Sequence, residues 1–165
     1  MLIPPALQQP APIPAPAKAE PGPLARLLAT RGAVVSLSRK ALGALYGRGT
    51  VEMEQLEAAH GADKARGLGL HITGPAKSDG EGRAVVEADE LPALLAALDR
   101  FAAEAPKLAA GDADTSFSYT SNGGLNLELA RERDGVALTL RAGRGEATLS
   151  PGQIAALRQL MEKAH

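Results

Sequence analysis

The chain has 165 residues with 18 Lys or Arg, 19 Asp or Glu, a formal net charge of −1 and no cysteine. Disulfides, thiolate nucleophiles and Cys-bound metals are thereby excluded. Neither half carries a basic or acidic surplus that would recruit nucleic acid or anionic lipid: residues 24–110 hold 11 basic and 11 acidic side chains, and residues 114–165 hold 6 of each. The aromatics are Tyr46, Phe101, Phe117 and Tyr119, with no Trp, so stacking platforms are scarce. No apolar run approaches the roughly 18 residues of a membrane span.

Residues 1–23 contain eight of the 12 prolines, alternating with alanine. Proline lacks a backbone donor and fixes φ, so this stretch reads as a disordered or polyproline-II tail, either a spacer or a ligand for a groove that binds Pro-rich peptides. The opening "MLIPPALQQP" has no basic n-region and its apolar stretch is broken by proline. As written it is a poor signal peptide, the cytoplasmic expectation.

Two pattern repeats follow, spanning 24–110 and 111–165. In the first, "AVVSLSR" (33–39) and "GTVEMEQLEA" (49–58) are strand candidates, the latter with Val51 and Met53 on one face and Glu52 and Glu54 on the other. "HGADK" turns the chain into "GLGLHIT", where Leu68, Leu70 and Ile72 alternate, and the loop 74–82 leads to "RAVVE". Asp89 is the expected cap of a helix over "ELPALLAALDRFAAEA", with Leu91, Leu94, Leu95, Leu98 and Phe101 as its apolar stripe. "PKLAAGDAD" (106–114) is expected to join the units. In the second repeat, "SFSYT", "LNLELARER", "VALTLRA" and "EATL" alternate with turns at 121–124, 133–135 and 143–145. Ser150, Pro151 and Gln153 then form a capping box that opens a helix with Ile154, Leu157, Leu160 and Met161 on one face. The fold class is α+β: two pseudo-repeated ββββα units packed together, each an antiparallel sheet with one main helix, sharing a core.

Chemistry-bearing motifs are few. "TSNGGL" (120–125) collects residues suited to a phosphate cradle. It lies between alternating strands, however, and Asn122-Gly123 signals a hairpin turn. "GLGLHITG" (67–74) has Ile72 where a dinucleotide loop needs glycine, and no helix follows. Its glycines mark close backbone packing. His60 is expected in a turn, His71 lies opposite Leu70 and Ile72, and His165 is terminal; none has metal-ligand spacing. Glu52 and Glu54, with Glu57 near, read as a solvated face paired to cations such as Arg66. Ser116, Ser118, Thr120 and Ser121 have no placeable base. An enzyme would need a pocket gathering Glu52, Glu54 and His71.

The element order over 33–164 resembles the tandem ββββα architecture of Whirly proteins. A single unit resembles the single-stranded-DNA-binding coactivator domain of the same topology. That resemblance implies nucleic-acid binding through an aromatic, basic sheet surface. The segments "GTVE" (49–52), "GLGL" (67–70), "DEL" (89–91) and Phe117 to Gly124 also resemble a commonly exported bacterial family of tandem ββββα proteins. This second resemblance implies organisation and an envelope location, but no mechanism. The expectation is a non-enzymatic binding or protein-interaction module with no cofactor and no metal. Its partner is another protein or a second copy of itself. The candidate surface is Phe117, Tyr119, Arg131, Arg133 and Arg141; the alternative is single-stranded nucleic acid stacking on the two rings.

Overall fold

The computed structural model describes residues 20–165 except Lys77, Asp112 and Ala113. The expected Pro/Ala tail therefore lies almost wholly outside the described residues. Period-two alternation becomes two four-stranded antiparallel sheets, each with its strands in sequence order. Sheet 1 comprises β1 (Ser36–Gly47), β2 (Gly49–His60), β3 (Asp63–Thr73) and β4 (Glu81–Glu87). Sheet 2 comprises β5 (Phe117–Thr120), β6 (Asn126–Glu132), β7 (Gly135–Ala142) and β8 (Gly145–Leu149). Among the described residues three α-helices accompany the sheets: α1 (Pro23–Leu28), α2 (Leu91–Ala110) and α3 (Ile154–Glu162), the last entered through a 3₁₀ turn at Pro151–Gln153.

Each sheet turns one face inward. Val51, Met53, Leu68, Leu70, Ile72, Ala84 and Val86 of sheet 1 share one continuous core with Leu127, Leu129, Leu138, Leu140, Ala147 and Leu149 of sheet 2. The stripe of α2 and Ile154, Leu157 and Met161 of α3 close the same core. Burying each such side chain contributes about 1.5–3 kcal/mol. Glycine lets the units approach closely: a Cβ on Gly82 would collide with the carbonyl oxygen of Ala142, and one on Gly145 with that of Ile72.

The outer face of sheet 1 is divided. At one end α1 lays Leu24 over Leu56, Ala58 and Ala65, forming a second, smaller cluster. Gly67 leaves the room Leu24 occupies. Glu87 accepts hydrogen bonds from the Leu24 and Ala25 amides at 3.0 and 2.9 Å, satisfying two donors at the start of α1. The sequence reading has no element at this position.

Other boundaries also shift. β1 continues to Gly47 through a bulge between Ala41 and Gly43, where the register with β2 slips by one residue. α2 passes through Pro106 to Ala110, so most of the expected linker is helix. A helix-interior proline costs about 3 kcal/mol relative to alanine, and burial of Ala105 and Leu108 on either side offsets it. His60 ends β2 rather than sitting in the turn. The residue before α2 is Glu90, not Asp89, and its side chain does not cap the helix. The Ser150–Gln153 capping box is present.

Candidate functional site

The open half of sheet 1's outer face is where ionisable side chains gather. Antiparallel pairing aligns Ala44 of β1, Glu52 of β2, His71 of β3 and Arg83 of β4 in one row across the sheet. Because side chains alternate, all four share the face opposite Val51 and Met53. One row further along, Ala41 and Gly69 flank Glu54. The small residues Ala41, Gly43 and Ala44 of β1, beside the long side chains of the neighbouring strands, leave a shallow depression of about 480 Å³, lined by Arg39, Ala41, Gly43, Ala44, Glu52, Met53, Glu54, His71 and Arg83.

Charges on its rim are paired in sequence across the strands. Arg39 Nη1 lies 3.1 Å from Glu54 Oε1. His71 sits between two carboxylates, with Nδ1 3.1 Å from Glu52 Oε2 and Nε2 3.0 Å from Glu81 Oε2. Ionised carboxylates only accept, so both contacts are hydrogen bonds together only when the ring carries a proton on each nitrogen. Arg83 has no ion-pair partner among the described residues. Beside the depression Tyr46 is 72% exposed, the most exposed aromatic side chain.

The sequence-derived group Glu52, Glu54 and His71 is thus brought together. Glu57 is not with them: it lies on the opposite face of β2, where it receives Arg66 Nε at 2.8 Å. Glu52 and Glu54 instead take His71 and Arg39. The group lies on an open sheet, and among the described residues no His, Cys, Asp and Glu cluster is arranged to hold a metal ion.

The five residues proposed from sequence as a partner surface are placed apart. Phe117 and Tyr119 pair with Leu129 and Leu127 on the inward face of sheet 2 and pack against the shared core. The Arg100 guanidinium lies 5.5 Å over the Phe117 ring. Arg131 shares that inward face at its margin, donating from Nε to the Leu108 carbonyl at 3.2 Å. Arg141 is on the outer face, paired with Glu146 at 3.1 Å. Arg133 lies in the β6–β7 turn. The two rings therefore form no platform with Arg141.

The turn 121–124 does hold an anion, the protein's own. Glu90 Oε1 accepts from the Asn122 amide and from the Tyr119 hydroxyl, both at 2.9 Å. Burial, then the hydrogen bond and charge of Glu90, push the Tyr119 hydroxyl up to about 12 from 10.0. The second carboxylate oxygen of Glu90 is buried without a partner. Only Gly124 in this turn has positive φ, at 89°. Gly123 serves a different need, because a Cβ there would strike the Val85 carbonyl. Glu90, Arg39, Arg83 and Glu81 are the residues sequence reasoning missed. Only the "DE" pair before α2 signals one of them.

No protein-family model matches the chain, and no curated protein matches it in sequence.

Proposed function

We propose that the protein is a non-enzymatic binding module that engages a protein partner across the open half of sheet 1's outer face. The supporting observation is the convergence of Arg39, Glu52, Glu54, His71, Glu81 and Arg83, from all four strands, around a depression with a small-residue floor. Acid–base catalysis needs a carboxylate or imidazole withdrawn from water. Here Glu52 and Glu81 retain 60% and 70% of their side-chain exposure, and the less exposed His71, at 21%, has both ring nitrogens against those two solvated carboxylates. Exposed pairs of this kind contribute about 0–1 kcal/mol each to stability, so a partner exchanges them at little cost and gains orientation from their alternating sign.

The test is a photo-reactive phenylalanine analogue placed at Tyr46, with the same analogue at Thr120 on sheet 2 as control. Irradiation in the cells that make the protein should give a discrete adduct from position 46 that Glu52→Lys and Arg83→Glu suppress. Adducts from Thr120 alone, or from neither, would refute this surface.

A further inference from the structure

Most sheet edges are closed by the protein itself. At the tip of the β1–β2 hairpin, Arg48 exchanges both backbone hydrogen bonds with Thr148 of β8, at 2.9 and 2.8 Å. β4 lies against the second unit through Gly82 and through the turn at Gly123. β5 is four residues long.

β1 differs. It is 12 residues long and has no strand beyond it among the described residues. Its distal part is occupied, since the Tyr46 carbonyl accepts Gln153 Nε2 at 2.9 Å and Leu160 packs onto Gly43. The stretch Ser36–Ala41, ahead of the bulge, remains, and all of it but Leu37 is exposed. Alternate residues of an antiparallel strand turn both N–H and C=O away from their neighbour, so this stretch presents an unused ladder.

Its charge is one-sided. Between Glu20 and Glu52 the chain contains Arg26, Arg31, Arg39, Lys40 and Arg48 and no acidic residue. Lys40 is exposed and has no ion-pair partner among the described residues. A second copy pairing antiparallel along Ser36–Ala41 would set the two copies' Arg39 and Lys40 close together, a like-charge arrangement that disfavours self-pairing. The phosphates of a nucleic acid only accept, so a backbone laid along this edge would leave the strand's outward carbonyls unsatisfied. An extended acidic polypeptide supplies both donors and acceptors as well as the opposite charge.

We propose that Ser36–Ala41 captures an acidic, extended segment of a partner protein as a fifth strand of sheet 1. This rests on the binding-module reading and specifies its partner and mode. Alternate side chains of the added strand would lie beside Arg39 and Ala41, at the rim of the depression.

The test is fluorescence anisotropy with a labelled peptide of repeated Thr-Thr-Glu-Glu, about eight residues long so as to span Ser36–Ala41, whose adjacent glutamates face both sides of the sheet as Arg39 and Lys40 do. The full-length protein should bind it. The double change Arg39→Glu, Lys40→Glu should weaken binding about tenfold or more, from the loss and reversal of two exposed pairs. Circular dichroism and thermal melting check that the variant stays folded. The fully N-methylated peptide keeps the charge but cannot donate a ladder, and it should not bind. Equal binding of the methylated peptide would overturn strand addition. Binding of a single-stranded oligonucleotide but not the peptide would overturn the partner class. Dimerisation in analytical ultracentrifugation that the double change abolishes would assign the edge to a second copy instead. No peptide binding at low salt would overturn the proposal outright. An adduct at position 46 that survives the double change would reject the edge while leaving the binding module standing.

Discussion

The two sheets have the same strand order but are finished differently. Sheet 1 uses strands of 12, 12, 11 and 7 residues, sheet 2 strands of 4, 7, 8 and 5. The outer face of sheet 2 carries short polar and small side chains such as Ser118, Thr120, Ala130 and Thr139, with Arg141 and Glu146 paired among them. The outer face of sheet 1 is partitioned between an apolar patch under α1 and a charged depression. Extra strand length is what makes the partition possible: about 3.3 Å per residue leaves room for a helix at one end and an open site at the other. A short sheet spends its whole length on the shared core.

If the core is truly common, its loss should be felt by both units. Leu140→Ala, at a fully buried position, should destabilise the whole chain by about 2–5 kcal/mol. One urea transition, followed by both backbone and aromatic signals, is expected. Two separated transitions would divide the units energetically.

Gly82→Ala addresses the junction. Its Cβ would meet Ala142 backbone, which cannot give way as a flexible side chain can. A loss of about 1–3 kcal/mol is expected, with hydrogen exchange rising first at the ends of β4 and β7. Unchanged exchange there would mean the units can slide apart freely.

Glu90 belongs to the first unit yet serves the turn of the second. Glu90→Ala should cost about 1–3 kcal/mol by leaving the Asn122 amide and Tyr119 hydroxyl without their acceptor. Tyr119 also makes stability pH-dependent. Its folded value, about 12, exceeds the unfolded 10.0, so its contribution is complete below pH 10 and is lost as pH rises from about 10 towards 12. Tyr119→Phe should flatten that part of the stability profile. In a Tyr46→Phe background, tyrosinate absorbance of Tyr119 should move to lower pH in Glu90→Gln.

The smallest effect concerns the open face. His71→Gln should change unfolding free energy by less than about 1 kcal/mol, as partly exposed pairs do, while altering the adduct obtained from position 46. A large destabilisation would make the row structural.

What sequence reveals here follows period and short-range chemistry. Leu125, Leu127 and Leu129 announce their strand because the alternation is unbroken, and Ser150 and Gln153 announce their helix because a capping box is local. β1 beyond Arg39 is obscured where the bulge at Ala41–Gly43 breaks the period. α2 beyond Ala105 is obscured because Pro106 reads as a stop, although flanking burial carries the helix past it. Glu52, Glu54 and His71 could be assigned to outward faces residue by residue. Their assembly with Arg39, Glu81 and Arg83 depends on register across four strands, which no local pattern encodes.

The Arg48–Thr148 bridge has a consequence for the order of events during synthesis. The two residues are 148 − 48 = 100 positions apart, so at about 5–20 residues per second the hairpin tip emerges several seconds or more before the strand that receives it. Sheet 1 is therefore synthesised in full while its tip is still unclaimed, and the bridge waits on the last strand to be made. The final strand thus acts as a latch, and a chain released before β8 would leave the Arg48 tip without the strand that receives it.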